Sequence, residues 1–173
     1  WMVHSFPTRR SSDLDSTTAP VADGALARAG EAGGVYKVET TAGLIMVEAA
    51  SAAEAVLAAG DILIRAGGAG SDLTQKAGAV VKSTGGNISL LARNAIAQNA
   101  DVTASGGTID VEAFDAGITM LSGTVTTSAG GNIRYAANGN IALGLLDAGA
   151  GDASVKAGGS ILEATAGNNV AAD

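Results

Sequence analysis

Three acidic residues lie close enough together in the sequence to suggest chemistry: Asp110, Glu112 and Asp115. On an extended strand, Asp110 and Glu112 share one face, because alternate residues point the same way. Paired carboxylates beside a basic residue are the equipment for cleaving an acidic polysaccharide, with Ca2+ or by acid–base catalysis. The equivalent positions on either side, however, hold Ser89 and Leu91, then Arg134 and Ala136. An isolated acidic pair next to one arginine reads as a solvated face. Gly67-Gly68-Ala69-Gly70-Ser71-Asp72 approaches the calcium-binding pattern Gly-Gly-x-Gly-x-Asp, but once only, and that motif binds through stacked turns. No Gly-Gly here is followed by the helix and lysine of a phosphate loop. Cysteine is absent and the one histidine is His4, so zinc sites and histidine-based triads lack their residues. Thr124-Val125-Thr126-Thr127 is not repeated at the next interval, and threonine there reflects strand propensity rather than an ice-binding ladder. No catalytic, cofactor-binding or metal-ligating residue is assigned.

The elements that would position any such group are plainer. Gly107-Thr108-Ile109-Asp110-Val111-Glu112-Ala113 is one copy of a pattern: glycine, any, aliphatic, any, aliphatic, any, alanine. Other copies begin at Gly43, Gly60, Gly86, Gly131 and Gly151, the last two looser, at steps of 17, 26, 21, 24 and 20 residues. Gly34 to Thr40 also alternates and reads as a first strand. A second aliphatic anchor follows each copy from Gly60 on (Leu73, Ile96, Ile118, Ile141, Ile161), and a third, weaker one sits at Val81, Val102 and Val125. Turn-forming Gly and Asn fill the intervals. Each unit is thus strand, corner, strand, corner, short strand, corner. No interval has room for a crossover helix. Successive units must therefore stack in parallel at about 4.8 Å, giving an all-β fold, a right-handed parallel β-helix of about 20–25 residues per coil.

Alternation then separates an inside from an outside. Ile62, Ile64 and Ala66, with Ile88, Leu90 and Ala92 and their counterparts through Val155, form an inward column read as wholly apolar. Arg65, Asp110, Glu112, Arg134 and Lys156 point out. Ser51 to Ala59 is a conflict. Ser51 and Glu54 form a capping box in an alanine-rich run, which favours a short helix; the repeat on both sides favours a strand or corner. The repeat is preferred, since propensity yields to tertiary context.

Composition agrees with this reading. After Pro20 there is no proline, as suits a backbone whose N–H groups are spent between strands. A hydrophobic content of 47% argues against disorder. The net charge of −7 disfavours nucleic acid and anionic membrane as partners, and no run reaches the ~18 apolar residues of a membrane span.

Residues 1–14 stand apart. Ser5-Phe6-Pro7-Thr8-Arg9-Arg10-Ser11-Ser12-Asp13-Leu14 resembles the translation of a sequencing-adapter oligonucleotide, so this stretch is read as an artefact rather than a basic targeting arm. Residues 15–34 read as a flexible lead-in and 35–173 as the repeat segment, expected to be a fragment of a longer array.

Gly130-Gly131-Asn132-Ile133-Arg134-Tyr135-Ala136-Ala137-Asn138-Gly139-Asn140-Ile141, with Gly60 to Gly68 before it, resembles the repeat region of large bacterial surface or secreted proteins of the filamentous-haemagglutinin and autotransporter-adhesin type. The resemblance implies a non-enzymatic stalk or adhesive segment, extracellular or at the bacterial cell surface. Its partners would be a host or cell-surface receptor or glycan and neighbouring coils of the same protein. No secretion domain or secretion cap is recognisable. The alternative is part of a polysaccharide-acting lyase or hydrolase.

One expectation is testable at this level. Deleting residues 1–14 should leave thermal stability unchanged; a loss above about 1 kcal/mol, larger than surface changes usually cause, would show that the segment belongs to the fold.

Overall fold

In a β-helix the backbone of each coil must be hydrogen-bonded by the coils before and after it, which leaves no place for independent hairpins or helices. The computed structural model describes residues 34–49 and 54–172, and these form strands, turns and bends with no helix. The first coil comprises β1 (Tyr36–Thr40), β2 (Ile45–Val47) and β3 (Glu54–Ala58), and the second β4 (Ile62–Ala66), β5 (Leu73–Gln75) and β6 (Val80–Ser83). The third has β7 (Ile88–Ala92), β8 (Ile96–Gln98) and β9 (Val102–Ala104); the fourth β10 (Ile109–Ala113), β11 (Ile118–Met120) and β12 (Val125–Thr127). β13 (Ile133–Ala137), β14 (Ile141–Leu143) and β15 (Leu145–Gly149) make the fifth, and β16 (Ala153–Ala157), β17 (Ile161–Glu163) and β18 (Val170–Ala172) the sixth. Every third strand joins the same sheet, so three parallel six-stranded sheets form the walls of a β-solenoid.

The first sheet keeps its register through all six coils: Tyr36, Ile62, Ile88, Ile109, Ile133 and Ala153 are successive partners. This corrects the repeat phasing. The Gly43 copy is not a member of that column; Ile45 pairs with Leu73 in the second sheet, and the segment begun at Gly34 supplies the first strand. The 17-residue step was therefore a step between walls, not between coils. Coil lengths are 26, 26, 21, 24 and 20 residues, and the corners absorb the differences. Glu54 to Ala58 is a strand, β3, as the repeat requires; residues 50–53 lie outside the described part. So do residues 1–33, and with them the artefact and nearly all of the lead-in.

Inside the walls, like residues stack on like. Ile62, Ile64, Ile88, Leu90, Ile109, Val111 and Ile133 are all at most 1% exposed. Ala66, Ala92 and Ala113 form a flat alanine column beside them. Ala136, expected to be outside, is nonetheless buried, its short side chain flanked on the pleat by Glu112 and Lys156. A glycine column marks the corner before the first sheet. A Cβ at Gly86, Gly107, Gly131 or Gly151 would run into the backbone of the equivalent glycine one coil earlier. Here glycine is required by close approach of coils.

The third wall departs from expectation. Val125 is half-buried on the outer side, and Thr126, not Val125, partners Val102 and is fully buried. The cause is the corner. Gln75 to Val81 and Met120 to Thr126 are both six-residue intervals with glycine at positive φ at the same place, Gly78 (φ 75°) and Gly123 (φ 87°). Gln98 to Val102 takes four.

Val111 sits between Leu90 and Tyr135 in the column, whereas its neighbour Glu112 is on the outer side. Val111→Asp should therefore cost several kcal/mol by burying an unpartnered carboxyl, and Glu112→Val no more than about 1 kcal/mol for an exposed ion pair. Hydrogen exchange should show the Val111 lesion opening β7 and β13 before distant coils. Greater damage from the Glu112 change would contradict this placement.

Candidate functional site

β10 and β13 bring the acidic candidates next to Arg134. Asp110 is the direct partner of Arg134 on the neighbouring strand. The Arg134 guanidinium donates to Asp110 Oδ1 at 2.6 Å and to Glu112 Oε2 at 2.9 Å, both through Nη1. The hydrogen bonds it donates to Glu112 and Asp110 hold the guanidinium even more firmly protonated than usual. Both carboxylates are thus engaged by the same cation on the outer face. Asp115 does not join them; it pairs with Arg93 in the preceding coil at 2.8 Å. Among the described residues no three His, Cys, Asp or Glu side chains converge as metal ligands would.

The glycine-rich segment ending in Asp72 is occupied differently from a calcium turn. Asp72 Oδ1 accepts hydrogen bonds from Asn94 Nδ2 at 2.8 Å and from the Ala95 amide at 3.0 Å, one coil on. Gly68 is held by packing: a Cβ there would meet Ala42 Cα at 2.6 Å and Thr41 O at 2.7 Å. The threonine run splits, Thr126 facing in and Thr127 stacking outside on Thr103 alone, between Lys82 and Asp147.

Asp72 exemplifies a rule at the corners. Asp61 Oδ1 accepts from the Asn87 amide at 2.8 Å, Asn87 Oδ1 from the Thr108 amide at 2.9 Å and hydroxyl at 3.0 Å, and Asn132 Oδ1 from the Asp152 amide at 3.0 Å. Asn140 Oδ1 does the same for the Ser160 amide at 2.8 Å. Each side chain reaches a backbone N–H of the following coil. The ion pairs run the same way: Arg65–Glu39, Lys76–Glu48, Lys82–Glu54 and Arg93–Asp115 all join adjacent coils. Lys37 and Arg65 together hold the Glu39 carboxyl below its ordinary value, Lys37 contributing more. Sequence reasoning read Asn140 as a turn former and left Asp61, Asn87 and Asn132 as unrestricted positions of the motif, so it missed this role. Their recurrence immediately after the motif glycine, at 61, 87, 132 and 152, was the available signal.

The interior is not wholly apolar, which corrects the sequence-based column. Gln75 and Gln98 are inward partners in the second wall, at most 1% exposed, and Ser83, Thr126 and Ser128 are fully buried. Three of the polar groups close a ring. Gln98 Nε2 donates to Thr126 Oγ1 at 2.9 Å, Thr126 Oγ1 and Tyr135 Oη lie 2.7 Å apart, and Tyr135 Oη donates to Gln98 Oε1 at 2.6 Å. With Tyr135 donating to the glutamine, the threonine hydroxyl donates to the phenol, and each group is both donor and acceptor. Burial pushes the Tyr135 phenol well above its ordinary value, outweighing its hydrogen bonds with Thr126 and Gln98, so it stays neutral. Gln75 Nε2 is held by the Ala79 and Asp101 carbonyls at 2.7 and 3.1 Å, while its Oε1 has no partner among the described residues. Alternation from Leu73 and Ile96 already places Gln75 and Gln98 inward, a step the sequence reading did not take.

No protein-family model, no curated protein and no solved structure matches this chain. The class that fold and faces define is therefore a parallel β-solenoid repeat.

The polar ring gives a measurable consequence. Tyr135→Phe should cost about 1–3 kcal/mol by stranding Gln98 Oε1, the usual penalty for an unsatisfied buried group. In a double-mutant cycle with Thr126→Val, thermal melts should show strong coupling between the two; additive losses would mean that the ring does not act as a unit.

Proposed function

We propose that this chain is a structural and adhesive segment of a bacterial cell-surface or secreted β-helical protein, a stalk rather than a catalyst. The observation that carries this reading is the direction of its polar side chains: the acids and amides of the corners and walls are engaged with the next coil. Such groups lengthen and stiffen a rod. Six coils at about 4.8 Å each span roughly 24 Å between the outermost strands, and each added coil extends the rod without altering the others. The lateral faces, carrying mixed charges and short side chains, are then the surfaces for a receptor or glycan. The filamentous-haemagglutinin and autotransporter-adhesin likeness of the repeat belongs to this proposal, as does the extracellular location.

Within the described coils, a polysaccharide-cleaving role would draw on the acidic pair Asp110 and Glu112, which Arg134 bridges. Incubation with polygalacturonate and other uronic-acid polymers, with and without Ca2+, should release no new reducing ends or unsaturated products. Cleavage that falls at least about tenfold in Asp110→Asn or Glu112→Gln, the scale of losing an acid–base group, would replace the stalk by an enzyme. Beads coated with the folded chain should also be retained on host-cell monolayers above beads coated with denatured chain. Equal retention would remove the adhesive role.

A further inference from the structure

Asn87-Ile88-Ser89 is the only Asn-x-Ser/Thr triplet in the chain, the pattern that N-glycosyltransferases read as an acceptor. It lies where the corner before the first wall runs into β7, and Asn87 is exposed there. Alternation puts Ser89 on the outer side as well, half-buried between Leu63 and Asp110 of the neighbouring strands.

The corner hydrogen bonds fix how the Asn87 amide is oriented. The Thr108 amide can only donate, so the end of the side chain facing the following coil is Oδ1. The other end faces the Asp61 carboxylate, which can only accept, at 3.2 Å, and is therefore Nδ2. An amide nitrogen carries two hydrogens, and Asp61 takes one; the second has no partner among the described residues. An asparagine bearing a sugar keeps its carbonyl and one N–H. It can therefore carry a glycan and still make both contacts between coils.

We propose that Asn87 is an N-glycosylation site, with a sugar on Nδ2 in place of the second hydrogen. This does not depend on the stalk reading. The donor is a glycosyl diphosphate, carried on a nucleotide or on a lipid, and a separate transferase catalyses the step. Nδ2 bonds to the anomeric carbon, the bond from that carbon to the diphosphate oxygen breaks, diphosphate leaves with the electron pair, and Nδ2 loses one proton. No oxidation or reduction is involved. Addition precedes closure of the third coil, because the Ile88 amide and the Asn87 carbonyl are both bonded to neighbouring coils in the folded chain. Asn132 supplies an internal control. It is exposed in the same corner row and reaches the following coil in the same way, but Arg134 stands where the triplet needs a hydroxyl.

The test is co-expression of the full chain with a sequon-specific N-glycosyltransferase, followed by intact-mass and peptide mass spectrometry. One arm uses a transferase fed by nucleotide-linked hexose, the other an oligosaccharyltransferase fed by a lipid-linked oligosaccharide. Asn87 should gain one hexose in the first or a whole oligosaccharide in the second, and either result supports the site while showing which donor serves it. Asn132 should stay unmodified. Ser89→Ala, an outer-face change, should abolish the modification and leave the circular dichroism unchanged, and Ser89→Thr should restore it. The glycosylated chain should melt as the unmodified one does. No sugar at Asn87 in either arm, or modification that persists in Ser89→Ala or falls equally on Asn132, would overturn the proposal. So would a glycosylated chain without the β-sheet spectrum, since the geometry requires that the sugar and the corner contacts coexist.

Discussion

The parallel backbone hydrogen bond between successive coils governs everything else in this molecule. Because each coil's amides bond to the coil beside it at one strand spacing, every residue is stacked on its own counterpart about 4.8 Å away. A position is acceptable only if its residue tolerates a copy of itself above and below. Isoleucine and valine do so inside, alanine does so where the wall is tight, and only glycine does so where one corner presses on the next. Outside, stacked like charges would repel, and the rows alternate instead: Asp110 stands between Ser89 and Arg134, and Arg65 between Glu39 and Leu91.

The corners carry the complementary constraint. Their lengths vary, and yet strand register in the first wall never slips. Asx side chains reaching to the amides of the following coil at Asp61, Asp72, Asn87, Asn132 and Asn140 tie variable corners to a constant pitch. The exposed ion pairs are individually weak, about 0.2–1 kcal/mol each.

The polar ring shows how the interior accommodates an exception. Tyr135 occupies a row otherwise filled by Val38, Ile64, Leu90, Val111 and Val155. Its ring fits the column, but its hydroxyl, fully buried, needs partners. Gln98 and Thr126 come from the other two walls to provide them, so the ring links all three sheets across three successive coils. Thr126 reaches that place only because its corner is two residues longer than the one after Gln98.

The sequence by itself determined the all-β class, the coil-by-coil parallel stacking, the inward faces of the first wall and the Asp110–Arg134 adjacency. Alternation and turn chemistry act over a few residues, and repetition turns those local rules into global ones. Even the conflict at Glu54 to Ala58 was decided by the repeat. What only the tertiary structure decided is which wall a short strand joins and what closes the interior. The Gly43 copy fits the first-wall pattern but lies in the second wall, because Ile45 is one corner beyond β1. Val125 looked like the third anchor until corner length turned it outward. The partners of Tyr135 and of the corner Asx residues lie 9 to 37 positions away in sequence. Such contacts depend on the summed lengths of intervening corners, and no local pattern encodes that sum.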